Sequence, residues 1–197
     1  RLAHHLHAPA QLVEAARRGL PALLLIREPR DAILSQLVQE PNIAMADALT
    51  AYSRFHRRLL PYRDRLEVAD FEQVTNDFGS VIARLNQHFG TAFTEFEHSD
   101  AAVGECLELM ALRDTLSPIL LGFESGSVGQ LEMRRERRAL TQGRASTAQH
   151  AWVPSAARAE RKNALLEQWQ AAEHSAGRAK AMLMYRTFLG YSVEARA

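Results

Sequence analysis

The clearest pattern in the chain is an apolar run that leads into a charged turn and then into an amphipathic segment. A continuous apolar run bounded by turn signals predicts a strand buried on both faces, as in a parallel sheet, here over about Leu20–Ile26. Pro29 suits the first turn of a helix, because proline has a preset φ and no N–H. Apolar residues then recur at helical spacing to about Gln39. The stretch therefore predicts a strand, a tight loop and a helix.

Similar patterns predict the other elements. A stripe of apolar residues predicts a second helix over about 44–60, and 66–69 has the composition of a short strand. The next helix is predicted over Asp77–Phe89, with a capping residue at its start and Gly90 after its end. Beyond this point, helices are predicted over about 105–112, from 155 onward and over about 176–189, with 122–129 as a flexible loop. The order predicts an α/β fold with a parallel sheet flanked by helices and a helix-rich C-terminal half.

Composition narrows the class of protein. The chain has 197 residues, 47% of them hydrophobic and 24% charged, which is typical of one globular domain. A formal net charge of +1 favours neither a nucleic acid nor an anionic membrane as a partner. No apolar run is long enough to span a bilayer. The chain starts at Arg1 rather than Met, so we expect a single domain over 1–197 that is incomplete at its N-terminus.

The single cysteine, Cys106, excludes an internal disulfide and indicates a reducing, cytoplasmic compartment. No histidine or aspartate pattern surrounds it, so we predict a small buried apolar residue rather than a nucleophile. Trp152 and Trp169 are predicted core residues. His4, His5 and His7 are chemically suited to zinc or copper, but no cysteine or carboxylate lies near them, and we predict no metal site.

The loop after the first strand carries the candidate chemistry. It lies at the carboxyl end of the strand, where open α/β sheets bind ligands, and the helix N-terminus that follows favours an anion. Arg27 adds a planar fork of donors that suits phosphate, and Ser35 adds a hydroxyl from the helix. The local pattern thus predicts a phosphate site, with a charged turn that binds nothing as the plain alternative.

Leu-Ile-Arg-Glu-Pro-Arg-Asp-Ala-Ile-Leu-Ser at Leu25–Ser35 resembles the 3′-phosphate-binding motif of sulfotransferases that use 3′-phosphoadenosine-5′-phosphosulfate (PAPS). In that family the arginine and the serine of the motif hold the 3′-phosphate of the donor. The resemblance therefore implies that Arg27 and Ser35 bind the cofactor.

Two further segments are similar to the same family in the same order. His-Leu-His-Ala-Pro at 5–9 resembles the family's Lys-x-His-x-Pro, with His5 at the lysine position, and implies that His7 is the catalytic base. An imidazole with a pKa near ~6.5 can take the proton of an attacking hydroxyl at neutral pH. Val-Ala-Asp-Phe-Glu at 68–72 resembles the family's strand and Tyr-Glu-Asp, with Phe71 in place of tyrosine, so a ring contact to the cofactor is implied without the hydroxyl.

The family's donor-closing basic loop, usually Arg-Lys-Gly, has no match in this chain. Arg137, Arg138 and Arg144 are the nearest candidates for cofactor binding, with a solvated basic face as the alternative. Pro-Ser-Ala-Ala-Arg at 154–158 is similar to a segment of some bacterial members.

The resemblance implies a P-loop-kinase-like sheet. It also implies transfer of a sulfonyl group from PAPS to a hydroxyl or amine of a small-molecule or carbohydrate acceptor, leaving PAP (3′,5′-adenosine bisphosphate). The family's 5′-phosphosulfate loop contains glycine, but no glycine precedes Gly19, so we expect that loop either upstream of Arg1 or lost. In the second case the chain would be a non-catalytic relative that binds PAP or a nucleotide, or an interaction module. A small-molecule kinase would need Gly-x-x-x-x-Gly-Lys-Ser/Thr, which the chain lacks.

Overall fold

A computed structural model describes residues 8–111, 119, 122–123, 126–141 and 155–190. These residues form an α/β structure in which helices dominate and two strands form a small parallel sheet. The chain divides into two compact units, a larger one of residues 6–98 and 159–197 and a smaller one of residues 1–5 and 99–158. No helix in the described ranges is long and apolar enough to cross a membrane.

The larger unit contains the sheet and most of the helices. Its strands are β1 (Leu23–Ile26) and β2 (Glu67–Asp70). Its helices before residue 99 are α1 (Pro9–Arg17), α2 (Pro29–Gln39), α3 (Met45–Leu59), a 3-10 helix (Leu60–Arg65), α4 (Phe71–Asn76) and α5 (Phe78–Phe89). The smaller unit contains α6 (Asp100–Ala111), α7 (Gln130–Thr141) and the start of α8 (Ala156–Ala164). The larger unit then continues with α9 (Leu166–Gln170), a 3-10 helix (Ala172–His174) and α10 (Ser175–Leu189).

The two strands pair in parallel, with Leu23 opposite Glu67 and Ile26 opposite Asp70. β1 is shorter than predicted, since Gly19 has a φ of +63° and Pro21 follows it, so the chain turns before it extends. Burial of β1 on both faces is a wrong prediction, because Leu25 is 47% exposed. Core residues from α1, α3 and α10 cluster with the buried side chains of the strand, Leu24 and Ile26, and thus cover one face.

The core of the larger unit consists of two clusters, and α3 and α10 contribute to both. Around β1, Leu59 of α3 and Phe188 of α10 are fully buried. Around α2, Leu49 of α3 and Ala181 of α10 are buried together with Trp169. α3 and α10 are therefore the two helices that join the sheet to the rest of the unit.

Several predicted elements are confirmed. α2 has the predicted bounds, and α3 differs from its predicted range by one residue at each end. Asp77 caps α5 by accepting a hydrogen bond from the Ser80 N–H at 3.1 Å, and Gly90 ends the helix with a φ of +64°. Trp169 is buried as predicted, whereas Trp152 lies outside the described residues.

Other expectations change. Cys106 is exposed, so its prediction as a buried residue is wrong: it lies on the open side of α6, a helix that begins at Asp100, earlier than predicted. The predicted basic segment that contains Arg137 and Arg138 is helical as far as Thr141. The P-loop-kinase-like character of the sheet and the single-domain organisation stay predictions.

Because Leu59 is fully buried between α1, β1 and α10, we expect Leu59→Ala to lower the free energy of unfolding by about 2–5 kcal/mol, as truncation leaves a cavity. Urea unfolding followed by circular dichroism measures the loss. The matched control is Leu131→Ala, since Leu131 is 82% exposed, and it should change stability by less than about 0.5 kcal/mol. Equal losses in the two variants would contradict the assignment of Leu59 to the core.

Candidate functional site

The parallel register places the residues that follow the two strands beside each other. Ile26 and Asp70 are paired, so Arg27 and Phe71 come next at the same edge of the sheet. The Arg27 Cζ lies 4.2 Å from the centroid of the Phe71 ring. This distance is within the range of a cation–π contact between the guanidinium and the ring. The two residues that the sequence linked to the cofactor, 44 positions apart in the chain, are therefore brought into contact.

The backbone under this pair is held by α3. The Tyr52 hydroxyl donates to the Arg27 carbonyl oxygen at 2.7 Å, which fixes the end of β1. Burial raises the pKa of Tyr52 well above its usual value, and the charges of Tyr185, Glu28 and Asp70 raise it further. The raised pKa favours the protonated hydroxyl that donates this hydrogen bond.

The carboxylates near Arg27 already have donors of their own. The Asp70 carboxylate accepts a hydrogen bond from the Tyr185 hydroxyl and another from the Glu72 N–H at 3.3 Å. The Glu28 carboxylate accepts from the Asp31 N–H at 3.1 Å. Within the described part of the chain the Arg27 side chain forms no ion pair, so its charge is available to an external anion.

The N-terminus of α2 differs from the expectation. Glu28 is its N-cap, and Asp31 adds a second carboxylate in the first turn. These carboxylates place negative charge at the positive end of the helix dipole, where the sequence predicted a bound phosphate. Anion binding at this edge would therefore depend on Arg27 and not on the helix terminus.

Ser35 is half-buried on α2, six residues after Pro29 and about 9 Å farther along the helix axis at 1.5 Å per residue. Its pairing with Arg27 around one phosphate stays a prediction. His7 and Arg144 lie outside the described residues, as does the side chain of Arg137. Arg138 is exposed on α7 in the smaller unit, and its role in cofactor binding also stays a prediction.

A neighbouring hollow of about 490 Å³ is unsuited to an anion. It is lined by Asp70, Glu72 and Asp77, and its one arginine, Arg84, is paired with Glu67 at 3.0 Å. Hydrogen bonds from Ser80 lower the pKa of Asp77, so that carboxylate stays charged. The acidic hollow and the Arg27 edge thus favour ligands of opposite charge.

His56 is the buried histidine beneath this edge, and sequence reasoning missed it. The residue is 6% exposed, and its ring centroid lies 4.3 Å from that of Tyr52, with the two ring planes tilted by 41°. Its Nδ1 donates to the Tyr52 carbonyl oxygen at 2.9 Å. Burial lowers its pKa, so the neutral ring is the stable form. The i, i+4 spacing of Tyr52 and His56 on an apolar helix face was the available signal.

Comparisons with protein-family models, with curated proteins and with solved structures find no match to this chain. Its candidate function is accordingly inferred from the residues above.

We expect the free energy of unfolding to fall as the pH is lowered below about 6.5, because the unfolded chain then binds a proton that folded His56 excludes. This contribution of His56 to the free energy of unfolding is complete above the pKa that the histidine has in the unfolded chain. It is lost as the pH falls toward the lower pKa of His56 in the folded protein, by up to about 1.4 kcal/mol per pH unit. Urea unfolding between pH 5 and 8 measures it. His56→Gln should remove this slope, whereas His88→Gln, which changes an exposed histidine, should keep it. A slope that persists in His56→Gln would assign the effect to another group.

Proposed function

We propose that this chain is a PAPS-dependent sulfotransferase domain in which Arg27 binds the 3′-phosphate of the donor. The observation that supports the proposal is the stack of Arg27 on Phe71 at the carboxyl edge of the parallel strands. A guanidinium that is held on a ring and forms no ion pair with the described residues is pre-organised for bidentate binding of a phosphate. Ser35 would add a hydroxyl to the same phosphate, and the small sheet would correspond to part of a P-loop-kinase-like sheet.

The proposed reaction is an in-line displacement at sulfur. The acceptor oxygen forms a bond to sulfur as the bond between sulfur and the 5′-phosphate oxygen breaks, and PAP leaves. His7 takes the proton of the acceptor hydroxyl. Arg137, Arg138 and Arg144 are the candidates for stabilising the charge that develops on the leaving phosphate.

A PAP-binding module without transfer is the second candidate. It is favoured by the carboxylates of Glu28 and Asp31 at the start of α2, which take the place of an anion at the helix N-terminus. Under this alternative the Arg27 edge still binds the 3′-phosphate, but the sulfonyl group is not transferred. The two candidates therefore agree on PAP binding and differ on turnover.

Arg27→Ala should weaken PAP binding by about 1.5–3 kcal/mol, because a charge-assisted contact to phosphate is lost. Titration calorimetry with PAP measures the change. Phe71→Leu should give a smaller loss, about 0.5–1 kcal/mol, since the arginine keeps its charge but loses its stacking surface.

The matched control for this series is Arg65→Ala, which removes an exposed arginine at the end of the 3-10 helix Leu60–Arg65. It should bind PAP as the unmodified protein does. The donor-site assignment fails if PAP binds to neither protein, or equally to the unmodified protein and to Arg27→Ala.

His7→Ala should slow sulfonyl transfer by about 10²–10⁴-fold and leave the PAP dissociation constant unchanged, because it removes a general base and no phosphate contact. Sulfur-labelled PAPS with 2-naphthol, an aliphatic alcohol and an amine as acceptors measures transfer. If the unmodified chain binds PAP and labels none of the three acceptors, the binding-module alternative is favoured. Equal transfer rates with and without His7 would remove it from the mechanism.

A further inference from the structure

A second concave surface of the larger unit lies between α3 and α10. This α3–α10 groove has a volume of about 590 Å³, within the size range of small-molecule sites. None of the residues of the Arg27–Phe71 edge described above lines it. It is therefore a candidate binding site that the proposed function does not use.

Small residues on α3 and α10 leave the space that forms the groove. On α3, Ala46, Thr50 and Ser53 follow one another at helical spacing along the groove. On α10, Gly177 lies against α3, and a Cβ added there would be 3.1 Å from Leu49 Cδ1. A larger side chain at Gly177 would press on Leu49, so the close approach of the two helices depends on this glycine.

Most of the charged residues that line the groove are cationic. Arg54, Arg57 and Lys180 line it, and none of them forms an ion pair with another residue in the described ranges. The one carboxylate, Glu173, has a side chain that is 77% exposed and lies 3.4 Å from His174 Nε2. Three unpaired cations around a concave surface attract an anion more strongly than isolated surface charges do.

Ser53 also lines the groove, but its Oγ is buried. A ligand in the groove would therefore not contact this hydroxyl oxygen, and binding would depend on the cations and the apolar residues.

Part of the groove lining is apolar. Leu49, Leu183 and Met184 line it, and Leu183 is 43% exposed although it is a large apolar residue. A ligand that filled the space would cover this surface and gain the free energy of apolar burial. Inorganic phosphate alone would leave it uncovered.

We propose that the α3–α10 groove binds a small amphipathic anion. Its sulfate, phosphate or carboxylate group would contact Arg57 and Lys180, and its apolar body would lie on Leu183 and Met184. The site is separate from the proposed PAP site and does not depend on it.

Octyl sulfate, used below its micellar concentration, is the probe. Titration calorimetry should give one binding site, and Arg57→Gln and Lys180→Gln should each weaken binding about tenfold, the effect of one lost charge-assisted contact. Octyl glucoside has the same chain without the charge, and inorganic sulfate has the charge without the chain. Both should bind at least about tenfold more weakly than octyl sulfate, because each makes half of the contacts.

Arg58→Gln is the matched control, since Arg58 is the next residue on α3, is exposed and does not line the groove. It should bind octyl sulfate as the unmodified protein does, and so should Arg27→Ala. Circular dichroism confirms that each variant is folded. No binding, equal weakening by Arg57→Gln and Arg58→Gln, or octyl glucoside binding as tightly as octyl sulfate would overturn the proposal. A failure of PAP binding would leave it standing.

Discussion

The parallel pairing of β1 with β2 is the interaction on which the candidate site depends. Four residues of each strand form the ladder, and its register sets Ile26 opposite Asp70. The residues that follow, Arg27 and Phe71, must then leave the sheet at the same edge. Their stack is a consequence of register: a shift of one residue would reverse the faces of β2 and separate the guanidinium from the ring.

α3 holds the backbone beneath this edge. Its inward face combines apolar residues with two polar ones, and each polar group is satisfied: Tyr52 donates to the Arg27 carbonyl oxygen, and His56 donates to the Tyr52 carbonyl oxygen. Burying polar groups in this way is favourable only if every donor and acceptor has a partner. The outward face of the same helix, from Ala46 to Arg57, carries the residues that line the α3–α10 groove. One helix therefore supports both the Arg27–Phe71 edge and the α3–α10 groove.

Charge distinguishes the surfaces of the larger unit. Arg27 is unpaired within the described ranges, although Glu28 and Asp70 lie close by, because both carboxylates are held by other donors. The hollow beside Asp70 is acidic, and the groove on α3 and α10 is basic. A net charge of +1 conceals this division, since the acidic and basic residues cancel in the sum while they remain separate in space.

The sequence by itself determined the elements with strong local signals. The apolar run before Arg27, Pro29 at the start of α2 and Gly90 at the end of α5 each depend on neighbours within one turn or one strand, so patterns predict them. It also placed Arg27 and Phe71 among the candidate ligand residues, through their resemblance to a known motif. Only the tertiary structure decided that Leu25 and Cys106 are exposed and that Ser53, Arg57 and Lys180 share a groove. These facts depend on which elements pack together, and contacts between residues more than a hundred positions apart have no signature in local spacing.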